Sequence, residues 1–283
     1  MFLAENELYE SGTVAVGDIC NTTDSIFLKS KSRLYWHNFI EISGFTEEGA
    51  KKRFLEAEQI ASVFNKQLMR AVVSPHSPYS VSKKLFEFIN SATENKLISI
   101  HNQESHEENE LYNNKSGGFL KLYENLGIDI SSFHAMGKSS FQTWLSYFTK
   151  GQKIISVHNT FTKTSDLRHS MFNFPHSNLF FCFCPNANLY IENTLPPVET
   201  FMKNNCNIVL GTDSYASNTA LNIYQEIKTM QLAFPKIPLH IILQWATLNG
   251  ATALGIDNTY GSFDKGKRPG IVLLTNDKAK RIL

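Results

Sequence analysis

Four side chains that can ligate a metal or move a proton stand at or just beyond the ends of short apolar runs: His76, His101, His158 and Asp213. Imidazole and carboxylate are the usual ligands of a catalytic zinc, which keeps one position open for water. Any one of these histidines alone is better read as a hydrogen-bonded core or rim residue. Four such endings in a single periodic pattern carry more weight. The other clusters are weaker. Cys182 and Cys184 are separated by one residue, so on a strand both point to the same face, which reads as packing and not as half of a zinc site. Gly117-Gly118 has no phosphate-loop context and reads as a turn. His106, His134, His169, His176 and His240 read as structural or surface residues.

The elements that must position the four residues come next. Runs rich in Val, Ile and Phe cover Val14 to Ile19, Asn38 to Ser43, Leu68 to Pro75, Leu97 to Ile100, Lys153 to Val157, Leu179 to Phe183 and Asn207 to Leu210. Their length, with apolar residues on both faces, suits buried parallel strands. Helical patterns lie between them, over Thr46 to Asn65, Ser82 to Asn90, Ser140 to Phe148, Pro197 to Asn204, Ala220 to Leu232 and Pro238 to Asn249. With strand ends at Asp18, Gly44, His76, His101, His158, Cys184 and Asp213, the spacings are 26, 32, 25, 57, 26 and 29 residues. A unit of roughly 30 residues repeated this often predicts a (β/α) barrel of seven countable strands. The 57-residue interval holds an insertion from Ser105 to about Gly137. At the catalytic rim of a barrel, such an excursion reads as a lid or specificity loop.

Composition bounds the rest. The 283 residues are 42% hydrophobic and 19% charged, with 27 basic against 26 acidic side chains. A net charge of +1 argues against a dedicated nucleic-acid binder, whose affinity would rest on a basic surface. Apolar runs are too short to span a bilayer, so no membrane partner is expected. MFLAENELYE has no basic n-region and reads as no signal peptide. Four cysteines are too few for a disulfide scaffold. The expectation is a cytoplasmic protein.

The motifs around these residues carry a resemblance. SPHSPYSVS (Ser74 to Ser82), SIHNQES (Ser99 to Ser105), SVHNTFT around His158, CPNANLYI (Cys184 to Ile191) and GTDSYASN (Gly211 to Asn218) resemble successive strand-end motifs of the amidohydrolase superfamily. The nearest branch is that of cytosine deaminase, the chlorohydrolases and the S-adenosylhomocysteine and aminofutalosine deaminases. ATLNGATALGID (Ala246 to Asp257) and the following GSFDKGKRPGIVLL resemble that branch's closing helix and the strand returning to its small β-sandwich. The resemblance implies a TIM-type barrel over residues 1–257 and a residual sandwich segment over 258–283. It implies a divalent metal, zinc before iron, held by His101, His158 and Asp213. By the same resemblance, Glu104 carries a proton between water and the leaving nitrogen. His158 polarises the substrate or hydroxide, Asp213 accepts the proton of the water, and His76 orients the substrate. By composition Glu104 could equally be a solvated acid at a helix start, beside Glu107, Glu108 and Glu110. Its offset of three from His101 sets it apart.

One departure matters. None of the nine histidines forms the His-x-His pair of the family's first strand, and SGTVAVGD resembles the second strand. The expected barrel is therefore incomplete at the N-terminus, lacking its first strand and sandwich segment, with a gap between Val14–Ile19 and Asn207–Leu210. Three readings remain: a fragment of a longer enzyme, a reduced ligand set, or a catalytically silent relative serving binding or assembly. The leading expectation is a hydrolase of non-peptide C–N bonds that deaminates a small-molecule heterocycle or nucleoside, a purine nucleoside-like amine before a free pyrimidine. Tyr112, Phe119, Tyr123 and Phe133 of the insertion are candidates to stack on it, although packing is their commoner role. Exposed strand edges would also favour a homo-oligomer.

Overall fold

The computed structural model describes residues 1–276 and 278–283. Seven strands alternate with helices: β1 (Ala15–Cys20), β2 (Tyr35–Ile42), β3 (Arg70–Pro75), β4 (Leu97–Asn102), β5 (Lys153–His158), β6 (Leu179–Phe183) and β7 (Asn207–Leu210). A hairpin of β8 (Val272–Leu274) and β9 (Ala279–Arg281) follows. The helices are α1 (Phe2–Glu10), α2 (Ile26–Lys29), α3 (Ala50–Lys66), α4 (Lys83–Ala92), α5 (His106–Asn114), α6 (Gly118–Asn125) and α7 (Ser140–Leu145). They continue as α8 (Thr164–Asn173), α9 (Pro185–Glu192), α10 (Val198–Lys203), α11 (Ile223–Ala233), α12 (Leu239–Ala246) and α13 (Leu248–Leu254).

The first seven strands run parallel and lie side by side in chain order, as β1-β2-β3 and β4-β5-β6-β7. The two groups meet where the His101 N–H donates to the His76 carbonyl at 2.9 Å and the Ser99 N–H to Ser74 Oγ at 3.3 Å. Right-handed crossovers in an order that never reverses put every helix on one face. The other face then curls on itself, which makes the α/β architecture a barrel and not a doubly wound sheet. Side-chain parity records the curl. Phe39 of β2 shares an interior cluster with Ile155, Phe180, Cys182 and Val209 from strands across the ring. Their neighbours Ile40, Ile42, Ile98, Ile100 and Phe181 face outward into a larger core with Phe64, Phe86 and Trp144 of the helix layer. Among the described residues, β1 pairs only with β2 and β7 only with β6, so the ring is open between them.

Two local outcomes differ from the sequence pattern. The helix expected over Pro238 to Asn249 is two helices, broken at Thr247 (φ −124°, ψ −87°). Thr247 Oγ1 bonds back to the Leu243 carbonyl at 2.7 Å, a competitor to regular helix geometry, and the break lets both α12 and α13 pack on β7. The insertion is also not loop alone, since it folds into α5 and α6 around a satellite cluster of Leu111, Tyr112 and Tyr123. No helix among the described residues is long and apolar enough to cross a membrane.

Candidate active site

Strand alternation delivers part of the site directly. Along β2, Phe39 faces the barrel interior while Ile40 and Ile42 face the helices, so Glu41 points into the mouth. On β4, Ile98 and Ile100 face outward, which places His101 inward. His76 follows β3 immediately, and its carbonyl also accepts from His101 Nδ1 at 2.9 Å.

For His158 and Glu104 the alternation must break, and Asp213 lies beyond the end of β7. Gln103, His158, Asn159 and Asp213 all have left-handed backbone, with φ of 46°, 70°, 58° and 57°. Continued alternation would send His158 outward with Ile154; the left-handed turn aims it back into the mouth. Such a residue costs roughly 1–3 kcal/mol and persists only when its surroundings hold it. Here they do. Asn159 donates to the Ser156 carbonyl at 2.8 Å and accepts from Ser156 Oγ at 2.6 Å and Asn102 at 3.0 Å. The Gln103 N–H donates to Glu108 at 2.9 Å, and its side chain is gripped by Thr162, Asn109 and Asp166. Asp213 accepts from the Ser214 N–H at 2.7 Å and from Ser217 Oγ. Ser105 caps α5 by accepting the Glu107 N–H, which leaves Glu104 just outside the helix and not in its solvated first turn.

All five candidate residues from the sequence converge at this rim, in two adjoining clusters. Glu104, His158 and Asp213 form one; Glu41, His76 and His101 form the other, with the ligating atoms in each within 4.8 Å of one another. The ligand trio His101, His158 and Asp213 is thus shared between the clusters, the His101 and His158 rings lying 5.5 Å apart. Glu41 has no place in the sequence reading. Its only signal is a charge inside the otherwise apolar run NFIEIS. The aromatic candidates Tyr112 and Tyr123 are buried, and Phe119 and Phe133 pack against them, so the four build the insertion's own core.

The hydrogen bonds fix where the lone pairs point. A carbonyl can only accept, so the bond from His101 Nδ1 to the His76 carbonyl puts the proton on Nδ1 and leaves Nε2 free. His158 Nδ1 faces Asn188 Oδ1 at 3.4 Å, leaving its Nε2 lone pair 3.4 Å from Glu104 Oε1 and 3.9 Å from Asp213 Oδ2. Burial holds His158 below the usual imidazole range, hence neutral. Burial, then the neighbouring His101 and His158, push His76 down to about 4. Glu104 is raised by burial, with His101 opposing and Asp213 adding to the rise; Glu41 is raised by burial, opposed by His101. His158 Nε2, Glu104 and Asp213 therefore converge as electron-pair donors. That arrangement is repulsive alone and fits a divalent cation, for which mixed imidazole and carboxylate donors suit zinc.

Comparison with known proteins gives the family and the fold. The pattern of the amidohydrolase family matches residues 5–282. A 5'-deoxyadenosine deaminase of Methanococcus vannielii is 26% identical over 96% of this chain. The chain spans 62% of that relative's length. The crystal structure of Helicobacter pylori aminofutalosine deaminase superposes with a TM-score of 0.83 at 23% identity, over 95% of this chain and 68% of that one. An adenosine deaminase from Xanthomonas campestris with bound zinc has a TM-score of 0.71 at 19% identity, over 96% of this chain and 60% of that one.

Proposed function

This chain belongs to the amidohydrolase family, and from that premise we propose that its site hydrolyses a non-peptide C–N bond, exchanging the amino group of a heterocycle for oxygen and releasing ammonia. The observation that carries the reading is the convergence of His158 Nε2, Glu104 and Asp213 beside His101, a set of donors suited to a divalent cation. His101, His158 and Asp213 would hold it, with Glu41 the further carboxylate within reach of His101. When bound, zinc or iron acts as a Lewis acid that lowers the pKa of water toward about 7.

The chain's own groups do the remaining work. Asp213 is the base for the proton of the attacking water. Its carboxylate is held by Ser214 and Ser217, so it need not reorganise to accept it. Glu104 carries a proton to the departing nitrogen, and burial tunes its carboxyl toward neutrality, where a shuttle is most effective. His158 is kept neutral by burial, so it polarises the reacting centre without adding charge of its own. His76, fixed through Nδ1 to Ser80 Oγ at 2.9 Å, orients the ring of the substrate. We assign the chemistry to residues 1–257 and read 258–283 as a residual β-sandwich segment.

For substrate, a purine nucleoside-like amine is preferred to a free pyrimidine. The deaminase names of the relatives support it, 5'-deoxyadenosine deaminase above all. Purified protein, loaded with zinc and assayed for ammonia release from adenine nucleosides, S-adenosylhomocysteine and cytosine, tests the reading. Release from adenine nucleosides is expected. Release from cytosine alone overturns the substrate class, and release from none by protein with measured stoichiometric zinc overturns the activity.

A further inference from the structure

We propose that the hydroxyls of Tyr112 and Tyr123 are positioning groups for His76, so that the insertion after β4 is a brace for the substrate-orienting imidazole. The starting point is the single turn of 3-10 helix at Pro78–Ser80 that follows His76. In so short a turn the Val81 N–H reaches the Pro78 carbonyl only at 3.4 Å, and a carbonyl so weakly held does little to keep the turn in place. The insertion supplies shorter bonds. Tyr112 Oη donates to the Pro78 carbonyl at 2.8 Å and Tyr123 Oη to the Tyr79 carbonyl at 2.5 Å. From the other side, the Gly44 N–H donates to the Ser80 carbonyl at 2.6 Å. The turn is thus held at three successive carbonyls, two of them by one inserted segment.

What the turn carries makes the brace consequential. Ser80 Oγ lies 2.9 Å from His76 Nδ1, and it also contacts the Ser77 N–H at 3.2 Å and Ser77 Oγ at 2.8 Å. That hydroxyl, with Ser77 Oγ 3.3 Å from the same nitrogen, fixes the ring position of His76 and so where its Nε2 stands in the mouth. A shift of the turn moves Ser80 Oγ and releases the ring. Stacking makes the brace rigid, with Tyr79 on Phe119 at 4.2 Å and Tyr123 on Phe45 at 4.7 Å between centroids. Tyrosine therefore does two jobs here, and only the hydroxyl job bears on His76. Phenylalanine at either position keeps the stack and deletes the donor.

The inference rests on the function proposed above only for its kinetic arm. The first readout is the ring-nitrogen NMR shifts of His76 in Tyr112→Phe/Tyr123→Phe, assigned with His76→Gln. They are expected to move, because the ring loses its fixed contact with Ser80 Oγ. Those of His158, whose Nδ1 partner Asn188 lies outside the insertion, are expected to stay. If the double variant does not fold, Tyr123→Phe alone gives the same readout, since its bond is partly exposed. The second readout is ammonia release, expected to fall roughly tenfold in kcat/KM, the scale of a lost hydrogen bond. Unchanged His76 shifts overturn the proposal whatever the activity. Shifts that move in a protein inactive from the outset support the brace and count against the activity instead.

Discussion

Adding one methyl group at Gly211 tests both the interior face of the barrel and the placement of Asp213. A Cβ built there falls 2.8 Å from Cys182 Sγ, closer than a methyl and a sulfur can approach, and 3.2 Å from Cys184 Sγ, tighter than most such contacts. Backbone conformation is not the obstacle, because Gly211 is not among the residues with positive φ. Neither thiol can swing clear, since both are buried in a cluster packed as tightly as protein interiors are. Overpacking of this kind costs about 1–3 kcal/mol. In a chain of this size that is a fall of a few degrees in Tm, roughly 2–4 °C per kcal/mol. Urea unfolding followed by fluorescence of Trp144 and Trp245 measures it. Cys182→Ala by itself loses a small buried side chain, about 1 kcal/mol. Combined with Gly211→Ala it makes the missing room, so the double variant should be more stable than the sum of the singles by at least about 1 kcal/mol. Cys184→Ala should rescue less, its sulfur being the farther one. Ammonia release should fall more than stability does, because Asp213 lies two residues along and moves with the displaced backbone. A neutral Gly211→Ala, or strictly additive energies, would refute the parity that puts the Cys182-x-Cys184 pair and Gly211 face to face.

Glu104→Gln should leave zinc content unchanged and lower turnover by roughly two orders of magnitude or more, the scale of a lost acid–base group; parental turnover would return Glu104 to an ordinary rim carboxylate. Asp213→Asn should both abolish turnover and weaken zinc retention in dialysis, since it removes a ligand charge together with the proton acceptor. Glu108 is fully buried and burial pushes it up to about 8, so its contribution to stability is complete below its ordinary pKa near 4.5 and is lost as pH rises through about 8. Unfolding free energy should therefore decline by a few kcal/mol at most between pH 5 and 8, and Glu108→Gln should flatten that decline. Equal slopes in the two proteins would exclude Glu108 as the cause.

The strands from β2 onward were legible because each is a short, largely buried apolar run, a pattern that surface helices do not produce; β1 was legible as an apolar run as well, although it is half-buried to exposed and not the buried strand expected. Strand ends that carry chemistry were legible for the same reason, since a histidine that stops an apolar run is conspicuous. The helix break at Thr247 was not, because the apolar periodicity continues through it and only the threonine's bond to Leu243 competes with the helix. Nor was α5, whose polar composition gives a weak amphipathic signal, nor α6, whose apolar face is only eight residues long and opens on Gly117-Gly118. Their order comes from long-range partners, such as Pro78 for Tyr112 and Tyr79 for Tyr123, which lie more than 30 residues away in sequence.

The candidate site shows where reading by periodicity stops. His101 obeys strand alternation, so its inward aim follows once the strand is known. His158 does not; it reaches the mouth through a left-handed turn whose cost is met by neighbours such as Asn159 with Ser156, while Asp213 keeps the inward parity of Val209 but lies beyond the strand's end, in left-handed backbone held by Ser217. Those partners are ordinary polar residues whose value exists only in three dimensions. Glu41 is the reverse case, since it lies in regular strand geometry and was still missed. A run apolar on both faces has no marked inside, so one carboxylate within it belongs equally to either face until the sheet curls. Phe39 supplies the label: it meets Ile155 and Phe180 across the ring, and Glu41 shares its side of β2. Hence the curvature of the sheet, which no single strand encodes, turns an unplaced acid into the partner of His101 at 3.5 Å.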